Sequence, residues 1–223
     1  ESRESDLSEG QTLLDSAEAA IKEGNFGAGR TALSNARAAF KRAGVADSEE
    51  EISALDALQQ AGAALERGDF VAARFAVESA RAALGQVQGA DMSAVEEVSA
   101  RIVEAEARRA GEQGGDAALA AGRAALDGER FDEAREAVAA SRAALTLAGV
   151  DGREGELAAL DKEIDEASDR SLLRAEGLAA LEEAEALLAA GRPTEAGPLA
   201  EVALGKLTRG GAGERDIAAA RFL

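Results

Sequence analysis

The side chains of this sequence best placed to do chemistry are six arginines in two columns. Arg30 and Arg37, Arg74 and Arg81, and Arg135 and Arg142 hold the same two places in three copies of one phrase, seven residues apart in each. That spacing is close to two helical turns, so each pair lies on one helix face. Guanidinium groups bind carboxylates and phosphates bidentately, which makes an aligned stripe a candidate surface for an acidic segment of a partner. The competing use is internal. In a chain of formal net charge −18, each Arg is expected to pair first with carboxylates of its own or the adjacent helix, as Arg74 or Arg81 would with Glu78. Phe75 aligns with Thr31 and Glu136, an outward place, and is a candidate contact residue.

Other chemistry is poorly supplied. The sequence has no Cys, His, Tyr or Trp, which removes Cys and His nucleophile systems, His general bases and Cys/His zinc sites. The run Asp47-Ser48-Glu49-Glu50-Glu51 lacks the alternating ligands and central Gly of a calcium loop and reads as a helix start. The carboxylate pairs Glu182/Glu183 and Asp161/Glu163 have no His or aromatic neighbour to drive their pKa values apart for acid–base work. The Gly-rich stretches 24–29 and 210–213 follow no strand pattern and carry no phosphate-loop Lys; they read as turns. The expectation is a non-enzymatic chain with no cofactor, metal or small-molecule substrate. Its acidity disfavours nucleic acid and anionic membrane surfaces. No apolar run approaches the roughly 20 residues of a membrane span, so the expected partners are proteins.

The elements that must position these residues are set by the repeat itself. The phrase reads IKEGNFGAGRTALSNARAAF over 21–40, LERGDFVAARFAVESARAAL over 65–84 and LDGERFDEAREAVAASRAAL over 126–145. A divergent fourth copy, LAAGRPTEAGPLAEVALGKL, covers 188–207. Leu14, Ala17 and Ile21 fall on one helical stripe, Gly24 ends that helix, and Asn25 (Asp69 in the second copy) caps the next. Phe26 then wedges between the two helices, and Gly29, Leu33 and Ala36 continue the inner face of the second. The columns hold across copies: Leu14, Leu58, Leu119 and Leu181; Ala17, Ala61, Gly122 and Ala184; Phe26, Phe70, Phe131 and Pro193; and the small residues Gly29, Ala73, Ala134 and Ala196. Each copy is therefore a helix, a tight turn and an antiparallel helix.

The spacing between copies also carries information. Phe26 to Phe70 is 44 residues, Phe70 to Phe131 is 61, and Phe131 to Pro193 is 62. The added 17 or 18 residues are about five helical turns, so the apolar stripe stays in phase. The first helix of the later copies is thus predicted to extend to roughly 35–40 residues, or about 50–60 Å. Gly111, Gly114 and Gly115 are the expected break in the first such rod. Ser48-x-x-Glu51 and Ser93-x-x-Glu96 read as capping boxes. Pro198 predicts that the last phrase's second helix begins late or kinks there.

This pattern resembles the tetratricopeptide repeat. The shared features are the small residue in the first helix, the turn Gly68-Asp69-Phe70, the small residue three on, and the later Ala36, Ala80 and Ala203. The resemblance covers four blocks of about 34 residues; it lacks the aromatic that opens the family's first helix, and its period differs. What it implies is an all-α solenoid of stacked antiparallel helix hairpins, here with some extended long helices. The units are 1–43, 44–88, 89–148 and 149–209, with 210–223 the start of a further one in what reads as part of a longer protein. The function expected is a protein–protein interaction scaffold or structural spacer in a larger cytoplasmic assembly of cytoskeletal or ciliary type. The alternative is an adaptor whose Arg-lined groove takes acidic peptides.

Overall fold

The computed structural model describes residues 2–44 and 49–223; Asp47 and Ser48, the first residues of the acidic run and of its capping box, lie outside the described residues. Among the described residues the chain is all-helical, with nine helices and no strand. Helix α1 (Ser2–Lys22) pairs with α2 (Phe26–Ala43), α3 (Glu49–Glu66) with α4 (Phe70–Leu84), α5 (Ser93–Asp127) with α6 (Phe131–Leu147), and α7 (Glu154–Ala189) with α8 (Pro193–Arg209); α9 (Glu214–Phe222) comes last. The helices form two compact units, Glu1–Arg109 and Ala110–Leu223, whose border falls within α5.

The turns are set by local chemistry. Asn25 Oδ1 accepts a hydrogen bond from the Ala28 amide at 3.1 Å, and Asp69 Oδ1 from the Ala72 amide at 3.0 Å, so each side chain satisfies a donor that the new helix leaves unpaired. The preceding residue adopts a left-handed conformation: Gly24 at φ 78°, Gly68 at φ 70° and Gly191 at φ 73°. In the third hairpin Gly128 sits one residue early, and Glu129 takes the left-handed place at φ 56°. A side chain there costs on the order of 1 kcal/mol. The exposed Glu129–Arg174 ion pair at 2.8 Å returns less than about 1 kcal/mol. Glu129→Gly should therefore raise the thermal midpoint modestly and Glu129→Val should lower it; two thermal melts check the pair.

The core is built from the repeating columns. In the first unit one cluster holds Leu14, Ile21, Leu33, Leu58, Val77, Val95 and Ile102. The second unit has smaller clusters around Leu119, Val138 and Ile164, around Leu181 and Leu207, and around Ala184 and Ala196. With so much Ala inside, helices approach closely, and four places show how. A Cβ added at Gly10 would lie 2.8 Å from the Phe40 ring, at Gly115 2.6 Å from Leu145 Cγ, and at Gly177 2.8 Å from Leu207 Cγ. By register Ala54 holds the same place relative to Leu84, both buried in the first unit's cluster. One small residue per first helix thus receives the large residue that closes the second helix. Ser141, fully buried in the column of Ala36, Ala80 and Ala203, donates its Oγ hydrogen to the Gly115 carbonyl at 2.8 Å, so its hydroxyl is satisfied.

Four sequence expectations are corrected. Helix α5 is continuous for 35 residues: Gly111 and Gly115 are packing sites rather than breaks, since a Cβ at Gly111 would meet Ala148 Cβ at 2.5 Å. Helix α8 starts at Pro193, its first-turn position, and runs on through Pro198. Pro198 removes an amide donor, but burial of Ala196, Ala200, Ala203 and Leu207 keeps the segment helical. Phe26 does not simply wedge inside its own hairpin; its ring lies over Gly62 in the first helix of the next one. The cap of α5 is Asp91, not a Ser93 box: the Ser93 amide donates to Asp91 Oδ1 at 2.9 Å.

Candidate protein-binding surfaces

The six column arginines lie on second helices and are mostly committed to ion pairs. Arg37 pairs with Asp56 of α3, and Arg74 with Glu106 of α5. Arg135 pairs with Asp165 of α7 at 3.0 Å and Asp132 at 3.3 Å. Arg142 bridges Glu154 at 3.0 Å and Asp161 at 2.9 Å, and Arg81 pairs within α4 with Glu78. Only Arg30 has no ion pair among the described residues. The dominant geometry joins a second helix to the next first helix along the chain, so within each unit the columns link successive hairpins. Every pair is partly exposed and screened by solvent, so the pairs fix register more than they stabilise.

These bridges shift the titration of their members. Two hydrogen bonds that it donates, to Glu154 and then to Asp161, hold the Arg142 guanidinium above its ordinary range, and the same contact with Arg142 lowers Glu154. Asp165 is the main cause of the upward shift of Arg135. Arg153 first, then Arg123, hold Glu156 below the usual carboxylate range.

Two arginines that sequence reasoning passed over act on the turns. Arg101 Nη2 donates to the Lys22 carbonyl at 2.7 Å, and Arg109 Nη1 to the Gly68 carbonyl at 3.1 Å. A cation at a helix C-terminus complements the dipole and satisfies a carbonyl left over at the helix end. The Arg109 guanidinium also sits 5.7 Å from the Phe70 ring centroid, a cation–π distance. The signal was present as two Arg eight residues apart on α5, but it shows no meaning until α5 is laid beside the turns at Gly24 and Gly68.

The start of α5 is tied to the end of α1. Lys22 Nζ lies 2.6 Å from Glu18 Oε1 and 3.1 Å from Asp91 Oδ2. The Ser93 amide is the largest cause holding the Asp91 carboxyl far below its usual range, with Lys22 adding to it. A lowered folded-state pKa stabilises above the unfolded value near 4 and loses that effect as pH falls toward the folded value. The gap in thermal midpoint between the native chain and Asp91→Ala should therefore be constant from pH 7 to about 5 and shrink on further acidification. A gap that widened in acid would contradict the assignment.

Phe75 is exposed, as its outward column predicts, at 76%, and Val71 one turn before it at 82%. Together they make an apolar pair on the outer face of α4. Charge is divided between the helices of a hairpin. Helix α2 carries Arg30, Arg37, Lys41 and Arg42 and no carboxylate. Helix α3 carries Glu49, Glu50, Glu51, Asp56 and Glu66 and no cation. Helix α7 carries eleven carboxylates against three cations. The acidity of the chain thus belongs mainly to its first helices. No helix of the described residues is long and apolar enough to cross a membrane.

No family model matches the chain, and neither the curated proteins nor the solved structures contain a significant match to it.

Proposed function

We propose that the chain is a non-enzymatic protein–protein interaction scaffold or structural spacer within a larger assembly, built as a solenoid of tetratricopeptide-like hairpins. The observation that carries this reading is the engagement of the Arg columns: five of the six guanidiniums are taken up by carboxylates, four of them on the next first helix. Arginines spent on joining hairpins favour a scaffold over an adaptor that clamps acidic peptides. The lack of Cys and His supports a role without chemistry. Long helical arrays of this composition suit a cytoplasmic, cytoskeletal or ciliary setting.

The Arg74→Glu/Arg81→Glu variant separates the two roles in a titration with a labelled acidic peptide. The scaffold reading expects no saturable binding to either chain. Saturable binding by the native chain, lost in the variant, would establish the adaptor with Arg74 and Arg81 as its contacts.

A further inference from the structure

The first unit contains a groove of about 200 Å³ bounded by α1, α3 and the segment leading into α5. Its floor is apolar, formed by Leu14, Leu55 and Leu84, and its rim carries Asp15, Glu18, Glu51 and Asp91. This volume is close to that of one long side chain. Two rim carboxylates are already engaged, since Lys22 places its ammonium between Glu18 and Asp91. Among the described residues neither of the other two has an ion pair: Asp15 accepts a neutral hydrogen bond from Gln11 Nε2 at 3.2 Å, and Glu51 has no cationic partner.

We propose that this groove docks a basic segment of a partner protein, with an Arg or Lys side chain lying along Leu14, Leu55 and Leu84 and its cationic head between Asp15 and Glu51. Long basic side chains carry both parts of that fit, an apolar stem and a charged tip. Lys22 shows the same rim holding an ammonium within hydrogen-bond reach of two carboxylates. Charge complementarity selects the occupant: an acidic segment would meet four carboxylates, and a purely apolar one would leave Asp15 and Glu51 partly desolvated without a partner. The inference rests on the scaffold reading and gives it the chemistry of one contact, opposite in sign to what the Arg columns would select.

The test uses the full chain and a short fluorescein-labelled peptide of alternating Leu and Arg, read by anisotropy beside the same peptide with Glu for Arg. Saturable binding of the basic peptide alone is expected, with Kd on the order of 10 μM. Asp15→Asn/Glu51→Gln should weaken it at least about tenfold, the size of effect that losing charge-assisted contacts produces. Both positions are on the surface, and circular dichroism checks that the variant remains helical. Glu182→Gln/Glu183→Gln/Glu185→Gln, which removes more charge from the exposed end of α7, should bind like the native chain. No binding by the native chain, unchanged binding by the groove variant, or equal weakening in the α7 variant each overturns the proposal. The scaffold reading survives those outcomes, because the acidic-peptide titration tests it separately.

Discussion

Phe26→Ala should destabilise the first unit by about 3–5 kcal/mol, the range for removing a buried aromatic side chain. The ring is 9% exposed and joins two hairpins rather than filling one. It rests on Gly62 so closely that an added Cβ would lie 2.5 Å from Phe26 Cε1, and closer still to Cγ and Cδ1. Ala in place of a mid-helix Gly ordinarily gains about 0.5–1 kcal/mol. At Gly62 the Cβ would strike a ring held on both sides, and overpacking of that kind costs about 1–3 kcal/mol, so Gly62→Ala should be net destabilising. With Phe26→Ala already present the obstacle is gone, and the same change should become stabilising. Urea denaturation of the four chains checks this reversal of sign, which additive effects at separate sites would not produce.

The second large effect lies in the other unit. Leu207 is fully buried against Gly177 in the cluster with Leu181 and Ala220, and Leu207→Ala should cost about 2–5 kcal/mol. Gly177→Ala should also destabilise. Here the outcome of the cycle differs, because a Cβ at Gly177 would lie 3.0 Å from the Leu207 backbone nitrogen as well as 2.8 Å from its Cγ. Truncating the side chain leaves the backbone in place. Gly177→Ala should remain unfavourable or neutral in the Leu207→Ala background, whereas Gly62→Ala turns favourable without Phe26. Denaturation midpoints of both sets, measured side by side, distinguish the two kinds of contact.

The repeat columns made the hairpins legible, because Leu14, Ala17, Ile21 and Phe40 recur at fixed places and a stripe at helical spacing has one physical use. The extended first helices were legible for the same reason, since an added length near five whole turns keeps Val95, Val98 and Ile102 in phase with Leu119 further along α5. Glycine was less readable. Gly111 and Gly115 look like interruptions in sequence, yet they are where Ala148 and Leu145 press in; a small residue marks either a break or a close approach, and only the neighbouring helix tells which. Pro198 pointed to a late start for α8, yet the helix already opens at Pro193, where the missing amide hydrogen would have had no partner in any case. The groove could not be read from spacing. Asp15 and Glu51 are 36 residues apart and on different hairpins, and an acidic side chain on an acidic chain gives no local signal. The division of charge between first and second helices was countable in sequence, but it acquires meaning only when the helices are sorted by their place in the hairpin.

On the proposed reading the carboxylate-rich first helices, rather than the Arg columns, meet the partner. The measurement that bears on it most directly is quantitative affinity capture from cell lysate on three chains: native, Asp15→Asn/Glu51→Gln, and Arg74→Glu/Arg81→Glu. The predicted result is a discrete set of proteins held by the native chain and the Arg variant and lost from the groove variant. Proteins lost from the Arg variant and retained by the groove variant would contradict it.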